Sequence, residues 1–235
     1  MKITYWSDYA CPYCYIAETR LHKALAQLGI ADTVEIEMKS FELDPAAARH
    51  SVGATVDRFA KKYGLSHEGA ARKIQMIETL GKAEGIDFRY ASTLYTNTFD
   101  AHRLTKFAFA KGDKTAYQAV ITGLFDAYFT KNQELTNRET LLDVAYHAGL
   151  DKAEVIAMLD SEQYSAEVRN DEHQAHANGV YSVPFFVLNN EYSVTGANST
   201  QGFVQVLTQI LQDNQAEKPT ENQADSGAMC GVDGC

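Results

Sequence analysis

Cys11 and Cys14, separated by Pro12 and Tyr13, are the side chains of this sequence best suited to chemistry. Across the start of a helix, a spacing of i and i+3 brings two Cα atoms to about 5–6 Å, within the span of a disulfide. Such a pair opens and closes without moving the backbone. Pro12 suits a first helical turn, where its missing N–H has no intrahelical partner to lose, and this sets Cys11 at or beside the N-cap. Unpaired amides and the positive end of the helix dipole favour a thiolate there. Cys11 is therefore the candidate nucleophile. Cys14, in phase with the apolar stripe that follows, is the candidate resolving thiol. The same spacing is also half a zinc site, which needs two further ligands, and Cys230 with Cys235 could supply them.

The flanking sequence reads as strand, loop and helix. Ile3 to Trp6 is β-branched and aromatic. Cys14, Ala17, Leu21, Ala24, Leu25 and Leu28 recur at helical spacing until Gly29 stops the pattern. Val34 to Lys39 alternates with period two and predicts a second strand, kinked near Ser40. Asp44-Pro45 closes this βαβ unit. From Ala46 to about Gly179 the apolar spacing is helical, predicting helices over Val52–Tyr63, Ala70–Lys82, Thr98–Lys111, Lys114–Thr130, Glu139–Ala148 and Glu154–Ala177. Thr136 with Glu139, and Asp151 with Glu154, have capping chemistry. Tyr181 to Leu188 is again extended. Asn189-Asn190 predicts a two-residue hairpin turn, with Glu191 to Thr195 as the partner strand. A last helix carries Phe203, Val206, Leu207, Ile210 and Leu211, capped by Asn198 or Ser199. From about Asp213 the composition has little to bury and reads as a flexible linker ending in Cys230-Gly-Val-Asp-Gly-Cys235.

The chain has 235 residues, 45% hydrophobic and 22% charged, enough to bury a full core and too apolar for disorder throughout. Its formal charge of −10 repels a phosphate backbone, which argues against nucleic acid as a partner. No apolar run approaches a membrane span, and no apolar leader follows Met1. These features predict a cytoplasmic protein, a setting in which four cysteines point to catalysis or metal binding rather than structural bridges.

The segment Ser7-Asp-Tyr-Ala-Cys-Pro-Tyr-Cys-Tyr15 resembles the active-site segment of DsbA-family thiol oxidoreductases. Asn97 to Leu104, Ala127-Tyr-Phe129 with Leu135, and Ser182 to Val187 resemble further segments of that family, so the likeness spans roughly residues 1 to 212. The second cysteine pair is most similar to the FrnE-like subgroup. The resemblance implies an α/β, thioredoxin-like fold with a large all-helical insertion: residues 1–44 and 178–212 form the thioredoxin-like part, 45–177 the insertion and 213–235 the tail. It also implies a cis Val183–Pro184 bond beside the cysteines, with Pro12, Tyr13, Val183 and Pro184 contacting substrate, and Val183 backbone groups pairing with an extended chain. The implied reaction is oxidation, reduction or isomerisation of protein disulfides. Protein thiols and glutathione are its candidate partners, and no organic cofactor or metal is needed because the electrons sit on sulfur. Tyr13 stands where strongly oxidising members have His, which implies a milder potential and leaves the direction of reaction open.

Cys230 and Cys235 form a candidate secondary redox pair, since the linker is long enough for them to reach Cys11. Asp8 reads as an Asx turn or a proton relay for Cys14. His102 reads as a packing or polar-bonding residue, and His173 with His176 as a surface pair rather than a metal site. Tyr9, Tyr13 and Tyr15 suggest an apolar rim, although Tyr15 suits a core position equally well. Two rival readings remain. One is a glutathione-linked transferase or isomerase of the kappa and 2-hydroxychromene-2-carboxylate type, against which Cys14 argues. The other is a chaperone-like binder of unfolded chains.

Overall fold

The computed structural model describes residues 1–216. Strand β1 (Lys2–Ser7) leads through a turn of Asp8 to Cys11 into helix α1 (Pro12–Leu28), and β2 (Glu35–Ser40) follows. Gly29 ends α1 at φ 66°, where a residue without Cβ pays no steric penalty, and Ile30 N–H returns to Leu25 O at 3.1 Å. Late in the chain come β3 (Phe185–Leu188), β4 (Tyr192–Thr195) and a final helix over Thr200–Ala216. The four strands form one sheet in the order β2-β1-β3-β4. β1 runs parallel to β2 and antiparallel to β3, so Tyr5 lies opposite Met38 on one side and Phe186 on the other.

Alternation along the strands gives the sheet two buried faces. Ile3, Tyr5, Met38, Phe186 and Leu188 join the main core with Leu21 and Leu25 of α1 and Phe203, Leu207 and Ile210 of the final helix. Tyr5 stacks on Phe186 at 5.2 Å, and Phe186 meets Phe203 edge-on at 5.1 Å. On the opposite face Trp6 packs with Phe41, Ala175, Val180 and Phe185. Trp6 Nε1 donates to Asp171 O at 2.9 Å.

Between β2 and β3 stand α2 (Thr55–Tyr63), α3 (His67–Ala83), α4 (Phe99–Ala110), α5 (Lys114–Phe129), α6 (Arg138–His147), α7 (Lys152–Leu159) and α8 (Ser165–Ala177); the final helix is α9. One expected helix, 154–177, is two. Tyr164 interrupts it with φ 65°, and Arg103 holds the break by donating from Nε to Gln163 O at 2.9 Å and from Nη2 to Met158 O at 2.7 Å. The residues between α7 and α8 include no Gly or Pro; the break is held by the distant guanidinium together with the Ser161 hydroxyl, which donates to Met158 O at 2.9 Å and accepts from Gln163 N at 3.2 Å. By packing, α8 serves the sheet: its Asp171 and Ala175 lie over the Trp6 face.

One helix cap and the hairpin loop also differ from expectation. Asn137, not Thr136, caps α6, accepting from Glu139 N at 2.9 Å, while the Thr136 hydroxyl donates to Arg49 O. In the hairpin both Asn189 and Asn190 have positive φ, 53° and 61°, but Leu188 lies opposite Tyr192, so Glu191 joins a three-residue loop. Asp151 caps α7 through Glu154 N at 2.9 Å. Ser199 caps α9 through Gly202 N at 3.0 Å, and α9 continues past Asp213 to Ala216. Cys230 and Cys235 lie outside the described residues.

Candidate active site

The end of β1 aims the chain at the start of α1, and the connecting turn is tied on both sides. Cys11 N donates to Asp8 O at 3.1 Å, and Ala10 N donates to Asp8 Oδ1 at 3.2 Å, an Asx turn. Asp8 Oδ2 accepts from Leu43 N at 2.7 Å, fixing the segment after β2 to the same carboxylate. Asp8 is buried, and His102 Nε2 lies 3.6 Å from its Oδ1. Both ring nitrogens of His102 are otherwise without a hydrogen-bond partner, and its ring packs 5.0 Å from that of Tyr9.

Cys11 is the N-cap of α1, with extended backbone at φ −94° and ψ 112° and no side-chain cap bond, and Pro12 occupies the first turn. The thiol of Cys11 donates to Val183 O across 3.7 Å, and the Val183–Pro184 peptide is cis. Residues 172 positions apart thus meet at one helix start. Cys14 lies one turn further in, 1% exposed against 4% for Cys11. Burial, and then the neighbouring Cys11, push the Cys14 thiol well above the ordinary thiol range; the Ser7 hydroxyl and the Asp8 backbone act against that shift. Two thiols with unlike surroundings therefore sit together, one facing a cavity and one shielded by it.

That cavity has a volume of about 480 Å³. Its cysteine end is Ala10, Cys11, Pro12 and Tyr13, its loop side is Tyr181 to Val183, and its far wall comes from α2 and α3. Pro184 itself does not line it. Tyr13 is 42% exposed at the mouth. Tyr9 and Tyr15 do not form the expected rim. Tyr9 is fully buried, with its hydroxyl bonded to Thr105, because the Asx turn directs it inward. Tyr15 stacks on Phe125 at 5.0 Å with the ring planes 4° apart. The aromatic surround is instead Tyr13 with Phe59, Tyr63, Tyr90, Tyr95 and Tyr181.

The wall residues Arg58, Lys62 and Lys73 went unassigned in the sequence, although Arg58 and Lys62 at i and i+4 in an acidic chain are a legible sign of a cationic helix face. His173 and His176 are exposed on α8, with the His176 ring between those of Phe41 and Tyr181. Among the described residues, no group of three or more His, Cys, Asp or Glu side chains is placed to hold a metal ion, and no helix is long and apolar enough to cross a membrane.

Comparison with known proteins agrees with this architecture. A family model described as DSBA-like thioredoxin domain matches residues 2–208. The crystal structure of a probable DsbA oxidoreductase from Streptomyces coelicolor is 37% identical, with a TM-score of 0.83 over 100% of this chain and 98% of that one. The cytosolic disulfide reductase DsbM from Pseudomonas aeruginosa, solved with GSH, shares the fold at 14% identity and a TM-score of 0.61, over 90% of this chain and 100% of that one. The uncharacterized protein YwbO of Bacillus subtilis is 22% identical over 93% of this chain and 99% of its own length. With a mixed α/β sheet, a helical segment between its second and third strands and a match along most of its length, the chain belongs to the DSBA-like thioredoxin domain family.

Proposed function

We propose that this protein is a thiol–disulfide oxidoreductase acting on protein disulfides, with Cys11 as nucleophile and Cys14 as resolving thiol. The observation that carries the reading is the unequal pair itself: Cys11 at a helix N-cap, beside the Val183 carbonyl and facing a cavity, with Cys14 buried behind it. In the reducing direction, the Cys11 thiolate attacks one sulfur of a substrate disulfide. A mixed disulfide forms and the other substrate sulfur leaves as a thiolate, which takes up a proton. Cys14 then gives up its proton and attacks Cys11 Sγ, releasing the second substrate thiolate. Two electrons pass to substrate and the protein pair becomes a disulfide. The oxidising direction reverses every step.

Val183 backbone groups, next to Pro184, would hold an extended substrate chain against Cys11, with Pro12 and Tyr13 supplying the opposite contact. The reading includes a cytoplasmic setting, in line with the cytosolic reductase among the structural neighbours. It also assigns Cys230 and Cys235 as a second pair exchanging with the first, and this part and the FrnE-like placement rest on sequence alone. A glutathione-linked isomerase has no use for a buried second thiol, so Cys14 favours disulfide exchange.

The test is intermediate trapping with a disulfide-containing protein. Cys14→Ser is expected to accumulate a mixed disulfide on Cys11 detectable by mass, and Cys11→Ser to form none. Equal adducts on the two variants, or turnover surviving Cys11→Ser, would refute the assignment.

A further inference from the structure

We infer that the cavity beside Cys11 selects disulfides flanked by acidic residues in a polypeptide substrate. This rests on the proposed function and names its substrate class. Most basic side chains among the described residues are in ion pairs, as with Arg20 and Lys23 on Glu84, Lys39 and Lys106 on Asp171, and Arg169 on Glu42. Arg58, Lys62 and Lys73 are among those that are not, and all three line this cavity. No Asp or Glu lines it. Asp44, just outside, accepts from the Tyr95 hydroxyl at 3.4 Å.

The cations are also arranged to stay available. The Arg58 guanidinium carbon lies 3.5 Å above the centre of the Tyr95 ring, and no carboxylate lines the cavity to neutralise it. Lys62 follows one turn later on α2, with Nζ 5.8 Å from the Tyr63 ring, and Lys73 projects from the facing helix α3. Both lysines are exposed. Phe59, Leu65, Ile77 and Tyr90 give the same wall an apolar floor. The net charge of −10 does not cancel this local field, because screening at physiological salt has a length of about 8 Å, so a ligand in the cavity feels its lining more than the distant surface.

The two sides of the cavity then divide the work. An extended segment paired with Val183 places its disulfide on Cys11, and the residues flanking that disulfide fall toward α2 and α3. Acidic flanks gain charge-assisted contacts there, neutral flanks gain only the apolar floor, and basic flanks are repelled.

Single-turnover exchange between the fully reduced chain and synthetic peptides tests this. Each peptide is closed by one internal disulfide and flanked by glutamates, serines or lysines. Rates are read by acid quench and mass spectrometry and divided by each peptide's rate with dithiothreitol, which removes intrinsic reactivity. The glutamate peptide is expected to react about 10-fold faster than the serine peptide, and the lysine peptide slowest. In 1 M NaCl, where screening acts over about 3 Å, the rates should converge. Lys62→Gln with Lys73→Gln should lower the glutamate-to-serine ratio about 3-fold, the remainder coming from Arg58. Lys114→Gln with Lys152→Gln, the same charge change at exposed positions outside the cavity, should keep it.

Equal normalised rates in the parent chain, a preference undiminished by the Lys62 and Lys73 changes, or one insensitive to salt would each overturn the inference while leaving the proposed activity standing. So would oxidised glutathione reacting faster than the glutamate peptide, since the wall would then serve a small disulfide. No exchange with any peptide would overturn the proposed function itself.

Discussion

Replacing Asp8 is expected to loosen the turn that presents Cys11, and the cost follows from its hydrogen bonds. Its carboxylate accepts from two backbone amides, Ala10 N at 3.2 Å and Leu43 N at 2.7 Å, in a buried site. Asp8→Ala strips both donors of their acceptor, at about 1–3 kcal/mol each, so a loss of about 4 kcal/mol is expected. For a domain of this size that lowers Tm by roughly 8–16 °C. Asp8→Asn keeps one oxygen and turns an amide N–H toward the second donor, so about 2 kcal/mol is expected. Urea unfolding can be followed through Trp6, the single tryptophan, which lies buried in β1 two residues before Asp8. Because Ala10 and Leu43 both line the cavity, the single-turnover exchange rate should fall with stability in the same order. A loss below about 1 kcal/mol for Asp8→Ala, or equal losses for the alanine and asparagine variants, would refute the view that this side chain pins the two segments together.

Arg103 bridges α4 to the break between α7 and α8, so Arg103→Ala is expected to cost about 3–5 kcal/mol in chemical denaturation and to open residues 160–164 to proteolysis. Arg103→Lys should not restore stability, because an ammonium group cannot serve the Gln163, Met158 and Ser161 carbonyls together with Asp100. Gly81→Ala places a Cβ 2.5 Å from the Phe88 ring; the overpacking should outweigh the gain in helix propensity and leave a net loss of about 1–2 kcal/mol in the same assay. Burial acts to raise the Glu84 carboxyl, but Lys23 and Arg20, each 2.7 Å away, outweigh it and hold the group below its ordinary value of 4.5. Its contribution is therefore present above that value and fades as pH falls through the lower folded one. Glu84→Gln should accordingly flatten the acid limb of a stability–pH curve, and an unchanged limb would count against the pairing.

Much of this fold can be read from local pattern. β1, α1 and β2 follow from alternation, from Pro12 and from Gly29, since each boundary has its cause within a few residues. The cysteine end of the cavity is legible for the same reason: Cys11, Pro12 and Cys14 carry their geometry in their spacing. What escapes local reading depends on distant partners. The break at Tyr164 is held by Arg103, and the inward turn of Tyr9 by Thr105 and Met38. The far wall escapes as well, because Lys62 and Lys73 belong to different helices and only the packing of α2 on α3 makes them neighbours of Cys11. Val183 meets Cys11 through sheet pairing, which the chain order alone does not convey.

The origin of the two cavity sides has an evolutionary corollary. On the proposed function, the sulfur chemistry sits at the start of α1 and the loop before β3, whereas the opposing surface comes from α2, α3 and the segment that carries Tyr90 and Tyr95. If both proposals hold, mutations in residues 55–77 would retune clientele while Cys11 and Cys14 stay intact, and descendants of one ancestral scaffold would diverge in what they accept without relearning how to react.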